Sequence, residues 1–355
     1  MVHSRYVTSA FQADDMEALF SRLRDSMKKT PSEWEAIIVV HEGIVRRLIA
    51  TGDEGGFGYL RAWQPGAWEG PAREFMLGKF GMAAVCERRH LIVPPSRVCH
   101  TVAELQEFGE GVGWPIMCKP PQGTGGYGLV KFDSSAGLNS NSHTMVFPIL
   151  GQKYIRGRRG VVDMLCSLGR PLAWLTSYTT RSVPAQFGAS TARQFQAMPA
   201  LRPLVEEVAR FTKFEGLCGF DWIEEEGSGR HYLIEFHPRP PSGFRFGRFC
   251  GVDFSAAIAA WLKSGEISPP KTQPEGSSIA AHYFPGDLYR CFRQRDWRGL
   301  KPWLPGSGAC HDVCWDDPCL FAAWAIYRCR RFLQVLAGDT VRVMKSVVKS
   351  TSIRR

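Results

Sequence analysis

Residues 114–130 read Trp-Pro-Ile-Met-Cys-Lys119-Pro-Pro-Gln-Gly123-Thr-Gly125-Gly126-Tyr-Gly128-Leu-Val. The apolar residues before Lys119 predict a strand that delivers a lysine at its end. Four glycines then fall within the next nine residues. Glycines let backbone N–H groups approach phosphate oxygens unobstructed, and a strand-borne ammonium adds a point charge for the same phosphates. A flexible hairpin tip that happens to follow a lysine is the plainer alternative. A Walker-type loop is excluded, because no Gly-Lys-Ser/Thr follows.

About a hundred residues further on, Gly219-Phe-Asp221-Trp-Ile and Tyr232-Leu-Ile-Glu235-Phe-His237-Pro-Arg239 flank an acidic turn carrying Gly227 and Gly229. Two apolar runs around such a turn predict a hairpin with Asp221 and Glu235 on opposite arms. Converging carboxylates repel unless a cation lies between them, and oxygen ligands of this kind suit Mg²⁺ shared with nucleotide phosphates. Strand alternation places Glu235, His237 and Arg239 on one face. The alternative is an exposed polar face on which Arg239 pairs with Glu235. Between the two blocks, residues 146–165 read as strand, turn and strand, with Gln152, Lys153, Tyr154 and Ile155 near the turn.

Working outward, residues 5–11 predict a short strand and residues 14–29 an amphipathic helix capped by Asp14 or Asp15. Residues 35–40 form an apolar run expected of a strand buried on both faces, and 42–50 another helix. This alternation fits a small doubly wound α/β unit. Residues 53–70 read as a loop and 74–88 as a helix. Thr101 and Glu104 form a capping box for a helix over 101–109. The breakers Pro269, Pro270, Pro274 and Gly276 predict a linker. There is no internal repeat.

Composition bounds the function classes. With 44% hydrophobic and 22% charged residues, the chain reads as a soluble globular protein. No apolar run approaches the ~20 residues that span a bilayer, and no leader pattern is present, so a cytoplasmic location is expected. The 11 cysteines are scattered without the paired spacing of a zinc site, which suits reduced thiols. The net charge of +10 is concentrated in residues 321–355, where eight Lys or Arg face one acid, Asp339. Charge confined to a tail, with no binding module, argues against a nucleic-acid partner. The apolar, arginine-edged stretch 324–336 suits docking on the body, with peripheral contact to an anionic membrane as the alternative.

Taken together, the lysine–glycine block and the Asp…Glu-x-His-x-Arg block resemble the ATP-grasp superfamily of carboxylate–amine ligases and the carbamoyl phosphate synthetase large chain. The resemblance spans about residues 35–265. It implies an α/β (α+β) fold of two lobes clasping ATP, preceded by a shortened doubly wound pre-ATP-grasp domain. Expected boundaries are 1–72 for that domain, 73–150 and 151–268 for the lobes, and 269–355 for a C-terminal extension. ATP and Mg²⁺ are the implied cofactors. Lys79 and Lys119 would touch phosphates, and the loop of Gly123, Gly125, Gly126 and Gly128 would close over them. Gln152, Lys153, Tyr154 and Ile155 would form the adenine hinge, read through backbone groups of Lys153 and Ile155. Asp221 and Glu235 would hold the metal, with His237 beside them, and Arg239 would stabilise charge in transfer.

Two positions depart from the pattern. His237 stands where the family commonly has Asn, and it can serve as metal ligand, phosphate-binding cation or acceptor group. Arg159 stands where D-alanine–D-alanine ligase and its relatives place a ribose-binding glutamate, and a guanidinium cannot accept from ribose hydroxyls. Asp163 is the candidate to replace it. On the substrate side, Arg181 can grip a carboxylate bidentately, or it is a structural arginine of a surface loop. Arg245 and Arg248, close behind Arg239, add to an anion-binding cluster. The implied activity is ATP-dependent joining of a small-molecule carboxylate to an amine through an acyl phosphate. The alternative is a catalytically weak or inactive ATP-binding regulator. The oligomeric state, with a homodimer among the options, is left open.

Overall fold

The structure, a computed structural model, describes residues 5, 7, 10, 13–29, 38–51, 70–121, 125–126, 128–141, 145–184, 187–264, 269–313, 317–323, 325–327 and 330. Its internal contacts divide the chain into residues 13–281 and a second unit formed by 1–12 with 282–355.

The larger unit begins with α1 (Met16–Lys29), α2 (Glu42–Thr51), α3 (Gly70–Leu77) and α4 (Lys79–Arg89). Asp15 caps α1, its Oδ1 accepting from Ala18 N–H at 2.8 Å. The helix expected over 74–88 is in fact two, because Gly78 is extended (φ 158°, ψ −172°) and so stands outside helical geometry. Val45, Leu48 and Ile49 of α2 are fully buried, at the spacing of one helix face.

Next come β1 (Ser96–Cys99), α5 (Val102–Val112), β2 (Ile116–Lys119), β3 (Val130–Phe132), α6 (Ser135–Asn141) and β4 (Ile149–Lys153). The strands form an antiparallel sheet in the order β1-β4-β2-β3. Leu105, Phe108, Ile116, Leu138 and Ile149 share its core. The expected cap is present at α5, where Thr101 Oγ1 accepts from Glu104 N–H (3.2 Å). Glu104 Oε2, however, accepts from the N–H of His100, one residue before the cap (2.9 Å), and not from that of Thr101 as a full capping box would have it. Replacing Thr101 by alanine is expected to cost about 1 kcal/mol of unfolding free energy, measurable as a lower urea midpoint at unchanged slope.

A larger sheet follows, built from β5 (Gly157–Ser167), β6 (Arg170–Val183), β7 (Ala189–Gln196), β8 (Gly216–Glu225), β9 (His231–His237), β10 (Lys271–Thr272) and β11 (Ser278–His282). The order is β11-β7-β6-β5-β8-β9, with β10 pairing parallel to β6. The segment expected as a linker therefore carries a strand, and Gln273 Oε1 accepts from the buried Thr176 N–H at 2.7 Å. Helices α7 (Arg202–Thr212) and α8 (Phe254–Ser264) pack against β5 and β6, whose central residues are buried without alternation. Such continuous burial marks strands covered on both faces.

Phe75 of α3 shows how the helices join this sheet. Its ring lies 5.5 Å from both Phe211 of α7 and Phe236 of β9. Phe20, Val45, Leu48 and Ile49 belong to the same core. Of the doubly wound unit expected over 1–72, the described residues contain helices and no strand, and most of the two expected strands lies outside the described residues. Of the expected buried strand, residues 35–37 lie outside the described residues. Ile38 and Val40 are 54% and 55% exposed, while Val39 packs on the core. Over residues 38–40 only one side is covered. Most of the strand expected over 5–11 and of the 53–70 loop also lies outside the described residues.

The smaller unit centres on α9 (Gly286–Arg293) and a 3₁₀ turn over Trp297–Trp303. Asp287, fully buried, accepts from Arg290 Nε (2.9 Å) and Trp303 Nε1 (3.2 Å) and meets His282 Nδ1 at 2.8 Å. A buried carboxylate needs this many donors to offset its lost hydration. Among the described residues no helix is long and apolar enough to cross a membrane. Residues 331–355, which hold most of the basic tail, lie outside the described residues.

Candidate active site

The β8–β9 hairpin sets the site. Asp221 pairs in register with Glu235, and Gly219 with His237, with a bulge between Asp221 and Trp222. The two carboxylates expected to face each other across this hairpin do so. At the end of β2 stands Lys119, only 6% exposed. Lys79, the first residue of α4, places Nζ 3.6 Å from Glu235 Oε1. These groups line one cavity of about 840 Å³ together with Gly125, Gly126 and Gln152 through Ile155.

The glycine loop lies close against the β6–β7 connection. Gly126 has φ 82°, and a Cβ there would meet Phe187 O at 2.0 Å, so no other residue fits without moving backbone. Gly125 and Gly128 also have positive φ. Gly123 lies outside the described residues. Across the cavity, the hinge is held by its own backbone: Lys153 N–H donates to Pro95 O (2.8 Å) and Tyr154 N–H to Pro115 O (3.1 Å). The Gln152 side chain is buried and donates to Ser96 Oγ at 2.8 Å.

His237 is clamped between acids. Its Nδ1 lies 3.4 Å from Glu42 Oε2 and its Nε2 3.3 Å from Asp221 Oδ1. Burial works against its charge, but the Asp221 and Glu42 carboxylates, with Glu235 behind them, outweigh it and hold the imidazole up at about 10. Glu42 shows the mirror effect. Burial disfavours its charge, yet the His237 hydrogen bond and the charges of His237, Arg46 and Arg239 hold it at about 2. Asp221 is likewise lowered, His237 overcoming burial with help from Arg193 and Arg159. Lys119 goes the other way: burial depresses it to about 8, Lys79 adds to the depression, and Glu235 and Asp221 oppose it.

Arg239 pairs with Glu42 (Nε to Oε2, 3.2 Å) and not with Glu235. Among the described residues, ligand atoms of Glu42, Glu235 and His237 lie within 4.8 Å of one another. An imidazole with carboxylate oxygens at both nitrogens needs both N–H groups and offers no lone pair to a metal.

Other expectations are redistributed. Arg159 lines the cavity, and its Nη2 donates to Ser182 Oγ at 3.1 Å. Asp163, the candidate to replace the missing ribose acid, is not among the cavity-lining residues. It is fully buried, accepts from Gly243 N–H (3.2 Å) and faces Arg193 Nη1 (3.7 Å). Burial raises it, Arg193 and Gly243 offsetting only part. Arg181, Arg245 and Arg248 are not among the cavity-lining residues, whereas Arg193 of β7 is. The sequence reading missed Arg193 and Glu42. An acid in the first turn of a helix ordinarily favours the helix dipole, so nothing marked Glu42 as a site residue.

No family model matches the chain. It is 23% identical over 155 residues to the arginine-specific large chain of carbamoyl phosphate synthase from Bacillus subtilis, a match covering 40% of this chain and 14% of that one. Its structure is similar to the biotin carboxylase domain of 2-oxoglutarate carboxylase from Hydrogenobacter thermophilus, which was solved with MgADP and bicarbonate. That match has TM-score 0.53 and 16% identity, and covers 74% of this chain and 61% of that chain. The L-amino acid ligase of Bacillus licheniformis is similar at TM-score 0.51 and 17% identity, covering 70% and 61%. The carboxyaminoimidazole ribonucleotide synthase of Aspergillus clavatus, complexed with ATP, is similar at TM-score 0.50 and 17% identity, covering 68% and 67%. The likeness to these neighbours is one of fold, and the chain has the ATP-grasp fold.

Proposed function

We propose that the chain is an ATP-dependent ligase that activates a small-molecule carboxylate as an acyl phosphate and joins it to an amine. The observation that carries this reading is the convergence of Lys79, Lys119, Asp221 and Glu235 on one cavity with the glycine loop. At about 840 Å³, that cavity is of the size that buries a drug-sized or nucleotide ligand. Two of the similar structures hold MgADP or ATP, which supports the nucleotide.

The donors fit Mg²⁺. Asp221 and Glu235 are opposed carboxylates, the hard oxygen ligands this cation prefers. His237, bonded by acids on both sides, fits a phosphate-facing cation better than a metal ligand. When bound, Mg²⁺ neutralises phosphate charge. Lys79 and Lys119 orient the phosphates, the loop of Gly125, Gly126 and Gly128 presents N–H groups to them, and the hinge over Gln152–Ile155 positions the base. Arg239 and His237 stabilise charge on the phosphoryl group as the substrate carboxylate attacks it. The amine then displaces phosphate from the acyl phosphate. None of these steps needs a protein nucleophile, and positioning with electrostatics supplies the rate.

The depressed Lys119 has a consequence for binding. Below about pH 8 its ammonium is charged and meets the phosphates directly. Above that pH the free protein loses the proton and must regain it on binding. MgADP affinity is therefore expected to be flat up to pH 8 and to fall by up to about tenfold per unit beyond it. Calorimetric titration from pH 7 to 9.5 checks this, and a flat profile throughout contradicts it.

Arg159 favours a second reading, a nucleotide-binding regulator without turnover, because it stands at the cavity wall where an acceptor for ribose hydroxyls was expected. ADP release across a panel of carboxylates and amino acids separates the two. Acceptor-dependent ADP supports the ligase, and nucleotide binding without any such release supports the regulator.

A further inference from the structure

Glu42 reaches the cavity from α2, far in sequence from the phosphate-side residues. Its Oε2 accepts from Arg239 Nε at 3.2 Å and faces His237 Nδ1 at 3.4 Å. Its Oε1 takes Arg46 Nη2, one turn along the helix, at 2.5 Å. The other arm of that guanidinium, Nη1, donates to Leu77 O at 3.1 Å. Leu77 ends α3, and Gly78 beside it leaves room for the fork, since a Cβ there would lie 2.9 Å from Nη1. Lys79 follows, within reach of Glu235. One carboxylate thus links the cations that follow Glu235 to the turn that carries Lys79.

Three cationic partners occupy most of the four lone-pair positions of this carboxylate. It is therefore a poor general base and has little left for a further cation. Its evident use is to hold the side chains around it. Long cationic side chains lose rotamer freedom when they act, and fixing them beforehand removes that cost from the reaction.

We propose that Glu42 is a positioning residue for phosphoryl transfer. It holds Arg239 and His237 where charge develops on the transferring group. This rests on the reading of the chain as an ATP-dependent ligase. A carboxylate that only stabilised the fold would affect every nucleotide complex alike. A positioning residue acts selectively on the transferring group.

The test compares MgADP binding with and without aluminium fluoride, which mimics a phosphoryl group in flight. Wild type is expected to bind MgADP and to gain affinity from the fluoride. Glu42→Gln should keep MgADP affinity within about threefold and lose at least about tenfold of that gain. Glu42→Asp, which keeps the charge but is one methylene shorter, should lose an intermediate part. Full gain in every variant that melts like wild type overturns the proposal. So does equal weakening of both complexes, which is the mark of a structural role. A wild type that binds MgADP without gaining from fluoride overturns this inference alone. A wild type that binds no MgADP overturns the ligase reading and this inference with it.

Discussion

Lys119→Ala is expected to weaken MgADP binding by about 30-fold to several thousand-fold, the equivalent of ~2–5 kcal/mol for removing one partner of a buried charge-assisted contact. The lysine is 6% exposed at the end of a strand whose every residue is buried. Without it, Glu235 and Asp221 would face the nucleotide phosphates with Lys79 as the remaining lysine, and repulsion adds to the lost attraction. The fold should persist, because β2 is held by backbone pairing to both β3 and β4 and alanine keeps those bonds. Calorimetry measures the affinity and thermal melting the fold. A variant that binds within about twofold of wild type would remove Lys119 from the site.

Trp222→Ala is expected to destabilise the protein by about 3–5 kcal/mol. Trp222 is fully buried beside Asp221, with its ring 5.0 Å from Tyr178 and 5.3 Å from His231. Gly160 on the neighbouring strand makes room for it: a Cβ at that glycine would lie 2.2 Å from the indole. Removing the ring opens a cavity that neither strand can fill, since β8 is held by pairing to β5 and β9, and β5 by pairing to β8 and β6. Denaturant unfolding reads the loss. A change below about 1 kcal/mol would mean that the hairpin tolerates repacking here.

The parts of this molecule legible from sequence are those whose partners lie close along the chain. Lys119 and the glycines are one strand-loop unit, and Asp221 and Glu235 are one hairpin. Alternation and turn residues place such groups without any knowledge of the remaining fold. Residues whose partners are distant were not legible. Glu42 is 195 positions from His237, and as an acid opening a helix it carries no signal beyond that of a cap. Asp163 and Arg193 meet because β5 and β7 both flank β6, a matter of sheet order that no local pattern encodes. Gly78 was visible as a glycine, but whether it bends, breaks or merely loosens a helix depends on what α3 and α4 pack against. Arg239 lines the same cavity as Glu235 and His237, and only the alternative that paired it with Glu235 is set aside, because its acid comes from α2.

The most direct measurement of the central claim is a crystal structure with MgADP. The account expects the β-phosphate within hydrogen-bond distance of Lys119 and Lys79, the metal against Asp221 and Glu235, and the adenine at the hinge over Gln152–Ile155. Nucleotide bound away from these residues, or a protein that binds no MgADP at saturating concentration, would contradict it.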